Sequence, residues 1–220
     1  NGLLKNSNTV CLNGRPILQD LQSVLKRSLR IENDANCFAM AEALFGAGHG
    51  KELVFGVIMG TGCGGGIIFQ GKVWNGLQGI GGEWGHMSLN PKGPVCYCGQ
   101  LGCVETLISG GGLEKLYKNE YSTPKPLAEI VADFHQGDRQ AEKFMFQFFK
   151  NFGRAIANLI NILDPDVIVL GGGLSNIQEI YCSGVEEVRK VIFNDELVTP
   201  IVKNKLGDSA GALGAALIGI

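Results

Sequence analysis

The sequence predicts an α/β fold on a mixed or parallel sheet, and three observations carry that prediction. Apolar β-rich runs alternate with stretches of helical spacing along the chain. Two of those runs, 53–59 and 167–170, lead directly into glycine clusters at 60–66 and 171–173, the punctuation expected where strands end at a turn. One long segment, 141–163, places Ala141, Met145, Phe148, Phe149, Phe152, Ile156, Leu159, Ile160 and Leu163 on a single helical face, which marks a central helix packed on the sheet.

The elements follow in order. Behind Pro16, the residues Ile17, Leu18, Leu21, Val24 and Leu25 recur at helical spacing, so a helix is expected that ends near 27–30. A short strand is expected at 29–32, feeding Asn33-Asp34-Ala35-Asn36. From there Phe38, Met40, Ala41 and Leu44 continue helically until Gly46 stops them. A strand at 53–59, a glycine turn at 60–66 and a second strand at 67–69, returning through Gln70-Gly71, read as a hairpin. The stretch 74–112 has little periodicity, many glycines and a cysteine cluster, and reads as a loop-rich insertion organised by metal. The long helix stops at Asp164-Pro165. A strand at 167–170, a helix from about 178 to 192, a strand at 201–203 and a last helix at 208–220 complete the pattern, with no internal repeat.

Composition narrows the function. A chain of 220 residues that is 45% hydrophobic can bury a sizeable core. A net charge of -2 without any dense Lys/Arg run leaves no field for a phosphate backbone, so nucleic acid is not an expected partner. No apolar stretch reaches the roughly 20 residues of a membrane helix, and a cytoplasmic protein is expected. Seven cysteines, three of them crowded at 96, 98 and 103, suit a metal site in a reducing compartment better than a disulfide framework.

The strongest chemical signal is His86 followed by Cys96, Cys98 and Cys103. One imidazole and three thiolates complete a tetrahedral zinc shell, which makes the metal structural. Ordinary buried thiols beside a core histidine are the competing reading. The loop 60–66 matches the Gly-x-Gly-x-x-Gly pattern, but a strand follows it where a dinucleotide site needs a helix. What remains is a glycine hairpin whose backbone and Thr61 hydroxyl suit phosphate oxygens, or else a plain tight turn. Gly171, Gly172 and Gly173 would let a ligand approach bare backbone at the carboxyl end of the sheet, or would serve close strand–helix packing. Asp34 suits an N-terminal helix position, and an ionised carboxylate there also suits a base for a substrate hydroxyl. Glu83 and Glu105 bracket the metal motif, and paired carboxylates suit a hydroxyl-rich ligand.

At these residues the chain resembles the ROK family of bacterial sugar kinases and sugar-responsive repressors. The resemblance runs through Glu32-Asn33-Asp34-Ala35-Asn36, Gly60-Thr61-Gly62, Gly82-Glu83-Trp84-Gly85-His86, the cysteines through Glu105, Ser109-Gly110 and 166–173. Within the family it looks most like the fructokinase and mannokinase branch, through Lys5-Asn6-Ser7-Asn8, Leu12-Asn13-Gly14, the 82–86 stretch and 161–170, with N-acetylglucosamine kinases next. The resemblance implies an actin-like, ribonuclease H-like sugar kinase fold. It implies ATP-dependent phosphorylation of a hexose, fructose first, at its 6-hydroxyl, with Mg²⁺ accompanying ATP and structural Zn²⁺ on His86, Cys96, Cys98 and Cys103. Asp34 would be the base, and Asn33, Asp34, Glu83, His86 and Glu105 would contact the sugar. Thr61, Gly62, Gly171, Gly172 and Gly173 would lie on the nucleotide side, and the protein would be a homodimer.

The alternatives implied are an N-acetylglucosamine kinase or glucokinase, and the sugar-sensing domain of a repressor. Family kinases begin with an Asp-x-Gly-Gly-Thr phosphate loop that these residues do not contain. Residues 1–33 are therefore expected as a remnant of the small domain, 34–207 as the large domain and 208–220 as a helix returning to the small one, with catalysis impaired.

Overall fold

The computed structural model describes residues 2–5 and 9–218. Residues 6–8, within one of the branch-like stretches, and 219–220, at the end of the expected last helix, lie outside the described residues.

A sheet holds the centre. β1 (Leu53–Met59), β2 (Cys63–Phe69), β3 (Lys72–Val73), β4 (Val167–Gly171) and β5 (Ile201–Lys203) lie in the order β3-β2-β1-β4-β5. β1 runs antiparallel to β2 and parallel to β4, and β5 runs parallel to β4, which is the mixed sheet expected. The period of two is visible in the core. Phe55, Val57, Met59, Ile168 and Leu170 join one apolar layer, while Val54, Ile68, Val167 and Val169 join the other.

Helices cover both faces. α1 (Ile17–Leu25) precedes the sheet, and α2 (Asp34–Phe45) and α8 (Ala210–Leu217) lie on one face of it. The opposite face carries α3 (Val104–Ile108), α4 (Gly110–Tyr121), α5 (Leu127–His135), α6 (Arg139–Leu163) and α7 (Ser183–Arg189). α6 is the central helix expected, capped by Asp138, whose carboxylate accepts from the Ala141 amide at 2.9 Å, and buried through Phe148, Phe149, Phe152 and Ile156. It ends where Asp164 turns left-handed at φ 43° before Pro165.

Several expectations need correction. Residues 29–32 form no strand; the Leu29 carbonyl accepts from the Gln22 side chain at 3.3 Å instead of joining a ladder. Gly64, Gly65 and Gly66 are strand and not turn, and close packing leaves no room for side chains there: α2 crowds Gly64 and Gly66, while Trp84, Phe55 and Gly82 crowd Gly65. A Cβ on Gly66 would sit 2.7 Å from the Ala35 carbonyl oxygen, and one on Gly56 would sit 2.6 Å from the Ala39 Cβ. The expected loop 74–112 ends in α3 and the start of α4. The expected helix at 178–192 is a 3₁₀ turn, Gln178–Tyr181, and then α7, broken at Cys182, whose φ of -116° is not helical. The last helix begins as a 3₁₀ turn at 207–209, and α8 packs along α2 so tightly that a Cβ on Gly214 would lie 1.7 Å from the Cys37 carbonyl oxygen.

The apolar side chains Leu21, Val24 and Leu25 of α1 are exposed. No helix among the described residues is long and apolar enough to cross a membrane.

Candidate functional site

The N-terminus of α2 carries the first part of the site. The Asn33 side-chain oxygen accepts from the amides of Ala35 at 2.8 Å and Asn36 at 3.4 Å, which caps the helix and turns Asp34 onto its exposed first turn. Glu32 accepts from the Asn36 side chain at 2.8 Å, and from Asn75 at 3.0 Å, so the cap is tied to the loop that leads to Glu83.

Asp34 lines a cleft of about 490 Å³ at the carboxyl ends of β1, β4 and β5, where ligands of open α/β sheets bind. Phe38, one turn further along α2, forms its floor, and Gly172, Ser175, Lys203, Lys205 and Asp208 form the remaining walls. The three glycines at 171–173 divide their roles. Gly171 is buried in β4 beneath Phe38, whose ring would meet an added Cβ at 2.5 Å, so it is a packing residue and not an open contact. Gly172 adopts φ +78° where a Cβ would strike Met59 backbone at 2.4 Å, and Gly173 faces open space. The Ser175 hydroxyl donates to the Gly172 carbonyl at 2.7 Å and fixes this turn. Tyr181 in turn donates to the Ser175 carbonyl at 2.8 Å, and burial pushes its phenol up to about 12.

A second group forms around β2. The hairpin turn at 60–62 is gripped by the start of α4, with Gly110 and Gly111 amides donating to the carbonyls of Gly60 at 2.8 Å and Thr61 at 3.1 Å. From α3, the Glu105 carboxylate accepts from the Cys63 amide at 3.0 Å, and it lies where a side chain on Gly62 would have to go. Burial, with Glu105 beside it, pushes the Cys63 thiol well above its ordinary range and leaves it inert. Thr61 is exposed. The segment 82–86 lies on β2 through Trp84, which donates to the Gly64 carbonyl at 3.0 Å and meets Phe55 edge to face. That packing sets Glu83 on the surface and turns His86 toward the cysteines.

His86, Cys96, Cys98 and Cys103 bring their ligand atoms within 4.8 Å of one another. The Cys96 sulfur lies 3.6 Å from His86 Nδ1, and the sulfurs of Cys98 and Cys103 lie 3.6 Å apart. Zinc–sulfur bonds of about 2.3 Å in a tetrahedron imply sulfur–sulfur edges of about 3.8 Å, so the donor set fits a four-coordinate metal in size and in chemistry. Burial pushes the Cys103 thiol up to about 12, whereas the Gln100 amide holds Cys98 down. His86 Nε2 points away from the sulfurs and meets the Tyr97 hydroxyl at 3.0 Å, leaving that nitrogen for an outer contact.

The structure therefore brings Asp34 and Gly172 into one cleft, and gathers Gly62, His86, Glu105 and the cysteines around β2. Sequence reasoning missed Phe38, Ser175, Lys203, Lys205 and Asp208 as cleft residues. The position of Lys203 at the carboxyl end of a strand was the signal that could have found it.

The model described as the ROK family matches residues 1–219. The N-acetyl-D-glucosamine kinase of Pasteurella multocida is 40% identical over 228 residues, covering 99% of this chain and 75% of that protein. Among solved structures, the ROK hexokinase of Thermus thermophilus superposes with a TM-score of 0.87 at 36% identity, covering 94% of this chain and 70% of that one. The ROK glucokinase of Streptomyces griseus, in complex with glucose and AMPPNP, gives 0.82 at 28% identity, with 94% and 73% covered. N-acetylglucosamine kinases thus stand where the motifs suggested a fructokinase. Parts of the stretches that suggested it serve packing: Trp84 locks 82–86 to β2, and 167–170 is buried strand.

Proposed function

This chain belongs to the ROK family and has the actin-like fold of its sugar kinases, and from that premise we propose that it transfers the terminal phosphoryl group of ATP to the 6-hydroxyl of N-acetylglucosamine. The observation that carries this reading is the cleft that Asp34 lines together with the Gly172 turn, Lys203 and Lys205. Asp34 accepts the hydrogen bond of the sugar hydroxyl and takes its proton as the oxygen–phosphorus bond forms. A weak base is sufficient because that proton leaves late in a loose transition state. Asn33, Glu83, Glu105 and, in exchange for its Tyr97 contact, His86 Nε2 hold the remaining sugar hydroxyls. Thr61, Gly62 and the open backbone at 172–173 take the phosphates, and Mg²⁺ arrives as the complex with ATP.

His86 Nδ1, Cys96, Cys98 and Cys103 hold zinc in this reading. When bound, the metal supplies rigidity and no chemistry to the reacting hydroxyl: it fixes the loop 86–103 and, through Cys103 at the start of α3, the position of Glu105.

The choice of N-acetylglucosamine over fructose is supported by the relatives that bear that name. The test is ADP release with Mg²⁺ and ATP against N-acetylglucosamine, glucose, mannose and fructose. The highest kcat/KM is expected for N-acetylglucosamine. A preference for fructose overturns the substrate, and sugar binding without turnover by zinc-loaded protein replaces the kinase reading of this chain with a sensing one.

A further inference from the structure

We infer that Glu42 is a positioning residue for the phosphoryl donor, holding the 203–207 wall of the cleft against the helix that carries Asp34. The inference rests on the reading of that cleft as the nucleotide side.

Glu42 is fully buried, at 0% exposure. Its Oε1 accepts from the backbone amides of Lys205 at 3.0 Å and Leu206 at 2.8 Å. Its Oε2 accepts from the Ala47 amide at 2.8 Å and again from Lys205 at 3.1 Å. Among the described residues no Lys, Arg or His side chain forms an ion pair with it. An ionised group buried without a counter-charge is costly, and only several aimed donors offset the lost water. An apolar side chain at this position would leave the amides of Ala47, Lys205 and Leu206 without this acceptor. The neighbouring chain is shaped to admit the carboxylate, because a Cβ on Gly46 would lie 2.0 Å from Oε2.

The geometry gives this arrangement a purpose. Asp34, Phe38 and Glu42 follow each other at intervals of four on α2, so they share one stripe of the helix over about 12 Å. The first two line the cleft, and the third grips the amides immediately after β5, where Lys203, Lys205 and Gly207 line it from the other side. One helix thus presents the base and, two turns on, sets how far away the cationic wall stands. The sugar-side residues Glu83, His86 and Glu105 lie around β2 and touch none of these bonds.

The test compares wild type, Glu42→Gln and Glu42→Asp. The first turns an acceptor into a donor facing amides, and the second keeps the charge but withdraws it by one methylene. Ile160→Val, on the opposite face of the sheet, is a control for general destabilisation. Calorimetry measures the affinities for MgADP and for N-acetylglucosamine, and amide hydrogen exchange reads Lys205 and Leu206. Glu42→Gln is expected to weaken MgADP about tenfold or more, as misplaced binding groups do, to leave the sugar affinity within about twofold, and to speed exchange at both amides. Glu42→Asp is expected to show the same split at smaller size, and Ile160→Val no split. Unchanged MgADP affinity, or an equal loss for both ligands in either Glu42 variant, overturns the inference while leaving the kinase reading intact. A wild-type chain that binds sugar but no MgADP overturns the cleft assignment and the inference with it.

Discussion

His86 directs its Nδ1 at the sulfur of Cys96 across 3.6 Å, the same distance that separates the sulfurs of Cys98 and Cys103. These two equal edges join residues 10 and 5 positions apart in sequence, and all four ligand atoms lie within 4.8 Å of one another, a size that suits one ion.

That geometry makes a clean stability test possible, because Cys98 is exposed whereas Cys103 is buried. In metal-free protein, Cys98→Ser is expected to cost within about 0.5 kcal/mol, as exposed substitutions do. In zinc-loaded protein it is expected to cost about 3 kcal/mol, or roughly 6–12 °C in Tm for a chain of this size. Calorimetric melts of both forms, with bound zinc measured by a chromogenic chelator, check the difference. Equal losses in the two forms would refute a structural metal.

Among the described residues the Asp34 carboxylate bonds only the amide of Ala35 beside it, so it is not needed to hold the fold together. Asp34→Asn is therefore expected to lower kcat by about 10²–10⁴-fold, with Tm and sugar affinity nearly unchanged. Steady-state kinetics beside calorimetric sugar titration measure the split. A variant that keeps wild-type kcat removes Asp34 from the role of base.

Gly214 is where α8 crosses α2 at backbone distance from Cys37. Gly214→Ala forces the helices apart and is expected to destabilise the protein by about 3 kcal/mol or more. Gly211, next to the cleft with nothing near its missing side chain, is the contrast: Gly211→Ala is expected to be neutral or slightly stabilising through helix propensity. Urea unfolding of both variants decides whether α8 packs as described.

Tyr181 supplies the pH dependence. Burial raises its phenol from the ordinary 10.0 to about 12 in the folded protein, so unfolding releases a proton in the interval between. Its contribution is complete below pH 10 and is lost as pH rises toward 12. Urea titrations should show stability falling over that window, and Tyr181→Phe should flatten the fall while costing about 1 kcal/mol at neutral pH for the lost bond to Ser175. An unchanged alkaline slope in Tyr181→Phe would assign the loss elsewhere.

Much of this was legible before any coordinates. The strand 53–59, the helix from Asp34 to Phe45 and the long helix ending at Asp164 announce themselves because burial imposes a period of two or 3.6 on the side chains. The metal cluster was legible for another reason: cysteine and histidine at close spacing name their chemistry without a fold. α4 escaped notice because Gly110, Gly111 and Gly112 read as loop. The small size of Gly110 and Gly111 instead serves a close approach to the carbonyls of Gly60 and Thr61, which lie about 50 residues away in sequence.

The sequence by itself determined the alternation of strands and helices, the donor set of the candidate metal centre and the carboxylate at the head of α2, since each depends on neighbours within a few turns of chain. Only the tertiary structure decided that Lys203 and Lys205 line one cleft with Asp34, that Gly171 is packing and not contact, and that Glu42 reaches more than 160 residues forward to hold Lys205 and Leu206. Those relations depend on how β1, β4 and β5 stack side by side. Hydrophobic periodicity records which face of an element is buried, but it carries no record of which distant backbone that face will meet.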